Sequence, residues 1–210
     1  MNVEQAYNNW AEQYDTNINP TRDLEIKSLR NALSDLTFSQ CLEVGCGTGK
    51  NTKWLLSKSD RVLSVDLSRE MLKKARQKIS SERVIFKKAD ITENWTFTSD
   101  CFDLVVFSLV LEHVSDLNHV YQQLHANVEP GGYVYIGELH PFKQYGGSKA
   151  RFEVKGKQQE VPCFTHNVSD FTNLARDYGF RMVMLNEHFD HDDRTDIPRI
   201  LSLLLQKSAG

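Results

Sequence analysis

Three glycines in five positions, Gly45, Gly47 and Gly49 of "LEVGCGTGKNTKWL", and an acid at the end of the next apolar run, Asp66 of "RVLSVDL", are the residues best suited to hold a ligand. A glycine turn lets backbone approach a ligand with no Cβ in the way. A carboxylate offers two acceptor oxygens, which suits the paired hydroxyls of a ribose. The dinucleotide fingerprint G-x-G-x-x-G would place its third glycine where Lys50 stands. A ribose is therefore compatible with either reading, while a pyrophosphate is disfavoured. A tight turn without a ligand explains the glycines alone and leaves Asp66 unexplained. Asp66 could cap a helix beginning at Arg69, but Ser68 is better placed for that.

These residues need a scaffold that brings strand ends together. Apolar spacing predicts helices over 3–16 and Leu24–Leu36, then a strand "QCLEVG", a helix from about Thr48 to Lys58 and the strand "RVLSVDL". A helix Arg69–Ile79, the strands "RVIFKKAD" and "CFDLVVFSLV", a helix Asp116–Asn127, a turn "EPGG" and a strand "YVYIGEL" follow. Residues 140–167 break this alternation, and "RFEVKGKQQEVPCF" reads as an inserted β-hairpin. A helix 168–178 and the strands "RMVMLNEHF" and "PRILSLLLQK" close the chain, the last pair antiparallel because no helix signal separates them. The fold class is α/β, a doubly wound, mostly parallel sheet, with ligands expected at the carboxyl ends of its strands.

The 210 residues fit one domain, and the net charge of −3 shows no long run of one sign, so a nucleic-acid partner is not expected. The N-terminus does not read as a signal peptide, and the apolar runs are too short to span a bilayer. Cys41, Cys46, Cys101 and Cys163 have no metal-ligand spacing and read as reduced thiols of a cytoplasmic protein. The acidic stretch 187–196 reads as a solvated loop, with no metal expected. Lys143, Lys149, Arg151, Lys155 and Lys157 against Glu153 and Glu160 give the insertion a local positive balance, read as a solvated face.

From about residue 40 to 140 the chain resembles the class I S-adenosylmethionine-dependent methyltransferases. The resemblance is carried by "LEVGCGTG", "VLSVDLSREMLKKAR", "KKADIT", "FDLVVFSLVLEHVSD" and "NVEPGGYVYIGE", in that order. "AYNNWAEQYD" resembles the start of the small-molecule branch, which includes quinone-biosynthesis and carrier-protein-acid enzymes. The resemblance implies a Rossmann-like sheet of seven strands with an antiparallel last strand, and S-adenosyl-L-methionine as cofactor. It implies one methyltransferase domain over 1–210, a helical lid over 1–36 and an insertion at 140–167 near the acceptor. Glu43, Gly45, Cys46, Gly47 and Gly49 would serve the methionine end; Asp66 the ribose; Leu67, Met71, Asp90 and Ile91 the adenine; Ser108 the methionine carboxyl or the sulfonium. An NAD-type oxidoreductase and a non-catalytic S-adenosylmethionine-binding protein are the alternatives, disfavoured respectively by Lys50 and by the intact loop with Asp66.

Methyl transfer from a sulfonium needs alignment and exclusion of water, and a base only for a protonated acceptor. His113, Glu138 and His140 lie beyond the fourth and fifth strands and are the candidates for that base. Tyr7, Trp10 and Tyr14 on one helix face, with His166 where the insertion returns, are the candidates for contact with a small-molecule acceptor. The oligomeric state, monomer or homodimer, is left open.

Overall fold

The computed structural model describes all residues except 155–156, 192–193 and 210. In chain order the elements are α1 (Val3–Trp10), α2 (Pro20–Ala32), β1 (Phe38–Val44), α3 (Thr52–Leu55), β2 (Ser59–Asp66), α4 (Arg69–Lys78), β3 (Val84–Lys88) and β4 (Phe102–Ser108). A 3-10 turn Leu111–His113 leads to α5 (Leu117–Asn127) and β5 (Val128–Leu139). The chain then forms α6 (Pro141–Tyr145), β6 (Arg151–Val154), β7 (Lys157–Glu160), α7 (Val168–Asp177), β8 (Phe180–His188) and β9 (Ile200–Lys207).

Seven strands form one sheet in the order β3-β2-β1-β4-β5-β9-β8, and β6-β7 form a separate hairpin. The first five are parallel, while β9 runs antiparallel to both β5 and β8. This is the Rossmann-like arrangement. Its strand order reverses between β1 and β4, which opens a crevice beyond their carboxyl ends.

Both faces of the sheet are covered, which is why β4 reads as an unbroken apolar run. On one face Val105, Phe107 and Ile136 pack with Tyr121 and Leu124 of α5 and Phe171 of α7. On the other, Leu104, Val106 and Tyr135 pack with Leu29 of α2, Leu33 at its C-cap and Leu55 of α3. A third cluster joins Ala6 and Trp10 of α1 to Met71 of α4 and to Phe152 and Val161 of the hairpin region. Trp10 stacks on Phe152 with ring centroids 5.2 Å apart.

The structure corrects several element boundaries. α1 stops at Trp10 and turns carry the chain to Thr16, because Arg22 of α2 takes the free carbonyls of Tyr14 and Asn17 at 2.5 and 2.9 Å. α3 is one turn long, with Asn51 spending its amide on Ser108 (3.1 Å) instead of capping the helix. The expected turn at "EPGG" lies within β5, where the register against β4 jumps from Phe102↔Val128 to Leu104↔Tyr133. The short α6, started by Pro141 and capped by His140, was not anticipated. No described helix is long and apolar enough to cross a membrane. Of the basic residues expected on the insertion, Lys155 lies outside the described residues, and Lys149 and Arg151 pair with Glu160. In the acidic segment, Asp192 and Asp193 lie outside them too, Glu187 meets His140 and Asp190 meets Arg199.

Candidate functional site

β1 ends at Val44, and the turn that follows has Gly45, Gly47 and Gly49 at φ of 70°, 53° and 80°. The Gly45 and Cys46 amides donate to the Val65 carbonyl at 2.8 and 3.0 Å, tying the turn to β2. The three glycines do different work. A Cβ on Gly45 would lie 2.1 Å from Val110 Cγ2, and one on Gly49 2.7 Å from Ile79 Cδ1, so these two permit close packing. A Cβ on Gly47 would have Tyr14 Cε1 as its nearest neighbour, at 3.9 Å, so this glycine borders open space.

Asp66 closes β2 and stands across that space. Its Oδ2 accepts from the Gly47 amide and its Oδ1 from the Ser68 amide, both at 2.8 Å. The cap of α4 is Ser68, whose hydroxyl accepts from the Met71 amide at 3.1 Å. Two backbone donors fix the carboxylate and leave each oxygen a further lone-pair site. Burial pushes its pKa up to about 6, opposed by those two donors.

A partly open cleft lies here, with a cavity volume of about 100 Å³. Gly45, Gly47, Asp66 and Leu67 line one side, and Asp90, Ile91 and Thr92, beyond β3, line another. The Asp90 Oδ1 is held by Thr92, through its amide at 3.0 Å and its hydroxyl at 2.6 Å. Ser108, Leu109, Val110 and His113 close the wall after β4, with Tyr7 and Tyr14 over them. Leu109 has φ +56°, a conformation costly for a branched residue, at the point where β4 must turn aside.

A second, smaller chamber of about 40 Å³ shares Tyr14, Gly45, Gly47 and Ser108 with the first. Glu43 and Cys46 line it, together with Arg22, Glu25 and Asn51, which the sequence reading missed. All five are buried. Glu43 accepts from Thr52 Oγ1 at 2.5 Å and Ser64 Oγ at 2.7 Å. Burial nonetheless pushes its carboxyl up to about 7. The Cys46 thiol is pushed up as well, first by burial. Ser108 donates to Glu25 Oε2. Among the described residues, Arg22 Nε, Glu25 Oε1 and Asn51 Oδ1 are buried without a partner in good hydrogen-bond geometry, although Tyr135 and Asn51 also face the Glu25 carboxyl. The signal for α2 was present in "TRDLEIKSL": Arg22, Glu25 and Ser28 fall on the same buried face as Ile26 and Leu29.

On the other side of the first cavity, Tyr7 and His113 form a hydrogen-bonded pair. His113 Nδ1 lies 2.8 Å from the Pro162 carbonyl, which can only accept, so Nδ1 carries the hydrogen of the neutral ring. His113 Nε2 is then the acceptor for the Tyr7 hydroxyl at 2.7 Å. Burial, followed by the charges of nearby groups, raises the Tyr7 pKa well above its ordinary value. Glu112 Oε1 is 3.9 Å from His113 Nε2.

Other sequence candidates are placed away from both chambers, and each has a local reason. Glu138 turns under the 3-10 turn and accepts from the amides of Val110, Leu111 and Glu112 at 2.9, 2.8 and 3.3 Å. His140 is buried, with Nε2 3.0 Å from Glu187 and Nδ1 accepting from the Phe142 amide at 3.2 Å. His166 Nε2 meets the Val114 carbonyl at 2.8 Å. Met71 and Trp10 are in the cluster beneath α1, and Gly49 packs on α4.

Residues 42–136 match a family model described as a methyltransferase domain. The chain is 29% identical over 137 residues to a malonyl-[acyl-carrier protein] O-methyltransferase of Hamiltonella defensa, covering 65% of this chain and 52% of that protein. It is 32% identical over 125 residues to a ubiquinone biosynthesis O-methyltransferase of Bordetella avium, covering 59% and 51% respectively. The chain thus spans about half the length of these curated relatives. Its fold matches the structure of a DhpI–SAH complex with a TM-score of 0.78 at 22% identity, over 99% of this chain and 96% of the other.

Proposed function

We propose that the chain is a class I S-adenosylmethionine-dependent methyltransferase that moves a methyl group from S-adenosylmethionine to an oxygen, nitrogen or carbon of a small-molecule acceptor, a reading supported by the methyltransferase-domain match over residues 42–136. The observation that carries this is Asp66: a carboxyl group fixed by two backbone amides at the wall of a cavity bordered by Gly47. In this reading Asp66 holds the ribose, with Leu67 and Ile91 against the adenine and Asp90 at its edge. Gly45, Glu43, Cys46 and Ser108 border the methionine end. When bound, the cofactor supplies a methyl group already activated on a sulfonium.

The chain's own contribution is to bind, align and exclude water. Where the acceptor carries a proton on its nucleophile, the Tyr7 oxygen receives that proton while the Tyr7 hydroxyl proton passes to His113 Nε2. Glu112 lies close enough to stabilise the resulting imidazolium. Both relatives described above are O-methyltransferases by name, which favours an oxygen acceptor. A hydroxyl uses this relay, and a carboxylate does not need it. Residues 1–36 and the hairpin act as one cover: Gln13 donates to the Glu153 carbonyl at 2.5 Å, beside the Trp10–Phe152 stack.

Screening S-adenosylhomocysteine release over matched hydroxyl, amine and carboxylate acceptors tests the activity. Turnover with a small hydroxyl compound is expected; binding of S-adenosylhomocysteine without turnover on any acceptor class would favour a non-catalytic binding protein. With an acceptor found there, Tyr7→Phe is expected to lower kcat by roughly 100-fold, the scale of general acid–base catalysis, and to leave cofactor affinity nearly unchanged. An unchanged kcat would remove the relay. Gly47→Val places a branched side chain at positive φ beside Tyr14 and is expected to block the cofactor while circular dichroism shows the sheet intact. Full cofactor affinity in that variant would mean the ligand does not approach Gly47.

A further inference from the structure

The chain leaves β4 by a turn that has no cap of its own. Ser108 ends the strand, Leu109 takes φ +56°, and Leu111–His113 form a single 3-10 turn for which Val110 offers no side-chain hydrogen bond. A helical turn starts with backbone amides that have no partner inside it, and where they are buried they need acceptors from elsewhere. Here those amides belong to Val110, Leu111 and Glu112, and one side chain serves all three. Glu138 Oε1 accepts from Val110 and Leu111 at 2.9 and 2.8 Å, and Oε2 accepts from Glu112 at 3.3 Å.

Glu138 comes from β5, the neighbour of β4, and is 3% exposed. The two strands stay paired to this point, through Ser108↔Gly137 and through the Leu109 amide on the Gly137 carbonyl at 2.8 Å. The residue after Gly137 therefore meets the turn as soon as it leaves the sheet. The turn carries His113, which has to satisfy two partners at once: the Pro162 carbonyl at Nδ1, 2.8 Å away, and the Tyr7 hydroxyl at Nε2, 2.7 Å away. Both partners lie outside the large sheet, as do the Phe164 amide on the Glu112 carbonyl at 2.7 Å and Gln144 at 3.4 Å from Glu112 Oε2. Glu138 ties the same turn to the sheet that carries the glycine turn and Asp66.

Resting on the methyltransferase reading and its Tyr7–His113 relay, we propose that Glu138 is a positioning residue for the reaction: it holds His113, and through it the Tyr7 oxygen, in fixed register with the cofactor cavity. Misplacement of a reacting group by about 1 Å can cost roughly 100-fold in rate. The role needs an acceptor atom and does not need a charge. Oε1, which takes the two shorter bonds, corresponds to an acceptor oxygen in glutamine as well. Glu138→Gln therefore keeps those two bonds, and Glu138→Ala loses all three.

Nitrogen-15 NMR of the imidazole rings reads the His113 tautomer in the ligand-free protein, with no acceptor needed. The unaltered protein and Glu138→Gln are expected to show His113 protonated at Nδ1 alone. Glu138→Ala is expected to show both tautomers in exchange, with a dispersed amide spectrum that reports a folded sheet. Glu138→Asp keeps the carboxyl but shortens its reach by one methylene; it is expected to behave as the alanine variant does and serves where Glu138→Ala does not fold. With an acceptor in hand, kcat is expected to fall roughly 100-fold in Glu138→Ala and little in Glu138→Gln, with affinity for S-adenosylhomocysteine nearly unchanged in both. A single Nδ1 tautomer in the alanine and aspartate variants, or a loss of kcat as large in Glu138→Gln as in Glu138→Ala, overturns the proposal and leaves the methyltransferase reading intact. Absence of S-adenosylhomocysteine binding by the unaltered protein overturns that reading, and this proposal with it.

Discussion

Asp66→Ala is expected to lower affinity for S-adenosylhomocysteine by a factor on the order of 100 or more while the protein remains folded. A hydrogen bond to a charged group contributes about 1.5–3 kcal/mol, and the ribose offers two hydroxyls to this one carboxylate. The fold loses less. Asp66 gives the Gly47 and Ser68 amides an acceptor, but it carries a charge that burial disfavours, with a pKa raised to about 6. Removing it takes away both. Calorimetric titration, with a thermal melt on the same sample, separates the two outcomes. Unchanged affinity in a folded variant would exclude Asp66 from the ligand site.

A second large effect is expected in the ligand-free protein: stability should fall as pH is raised from about 6.5 to about 8.5. Three buried carboxyls titrate in or near that window, Glu25 and Glu43 with pKa about 7 and Glu138 with pKa about 8, each raised first of all by burial from a reference of 4.5. Each folded pKa exceeds the unfolded one, so the folded state binds more protons and loses stability as pH rises through the folded value. His140 and His188, both lowered from 6.5 by burial, act in the opposite direction only as pH falls below that reference value. The acids whose pKa is lowered, Asp15, Asp23, Asp190 and Glu160, titrate well below the window. Glu138 alone, at about 1.4 kcal/mol per pH unit, accounts for about 2 kcal/mol of lost stability. That corresponds to roughly 4–8 °C in Tm for a chain of this size. A Tm that holds or rises across the window would show that these carboxyls are solvated and ionised in the fold.

The sequence carried the parts of the site that sit on consecutive residues. A glycine turn after one strand and an acid ending the next are local patterns, and the structure brings Gly45, Gly47, Asp66, Leu67, Asp90, Ile91 and Ser108 to one cavity. The α/β alternation carried the sheet in the same way, and the missing helix signal before β9 marked its antiparallel pairing. Arg22, Glu25 and Asn51 were missed because their meaning is non-local. A charge on a helix face reads as solvated until the sheet that buries it is placed. His140 and Glu138 were sited wrongly for the converse reason. Glu138 sits at the end of the fifth strand and His140 just after it, yet His140 caps α6 and Glu138 turns back under the 3-10 turn. Tyr7 and His113 are 106 positions apart, and no spacing rule joins them.

The central claim is that the cleft beyond β1 and β2 takes S-adenosylmethionine rather than a dinucleotide. Calorimetric titration of the intact protein with S-adenosylhomocysteine and, separately, with NAD tests it most directly. The account predicts one saturable site for S-adenosylhomocysteine and no heat with NAD. Saturable binding of NAD with no response to S-adenosylhomocysteine would contradict it.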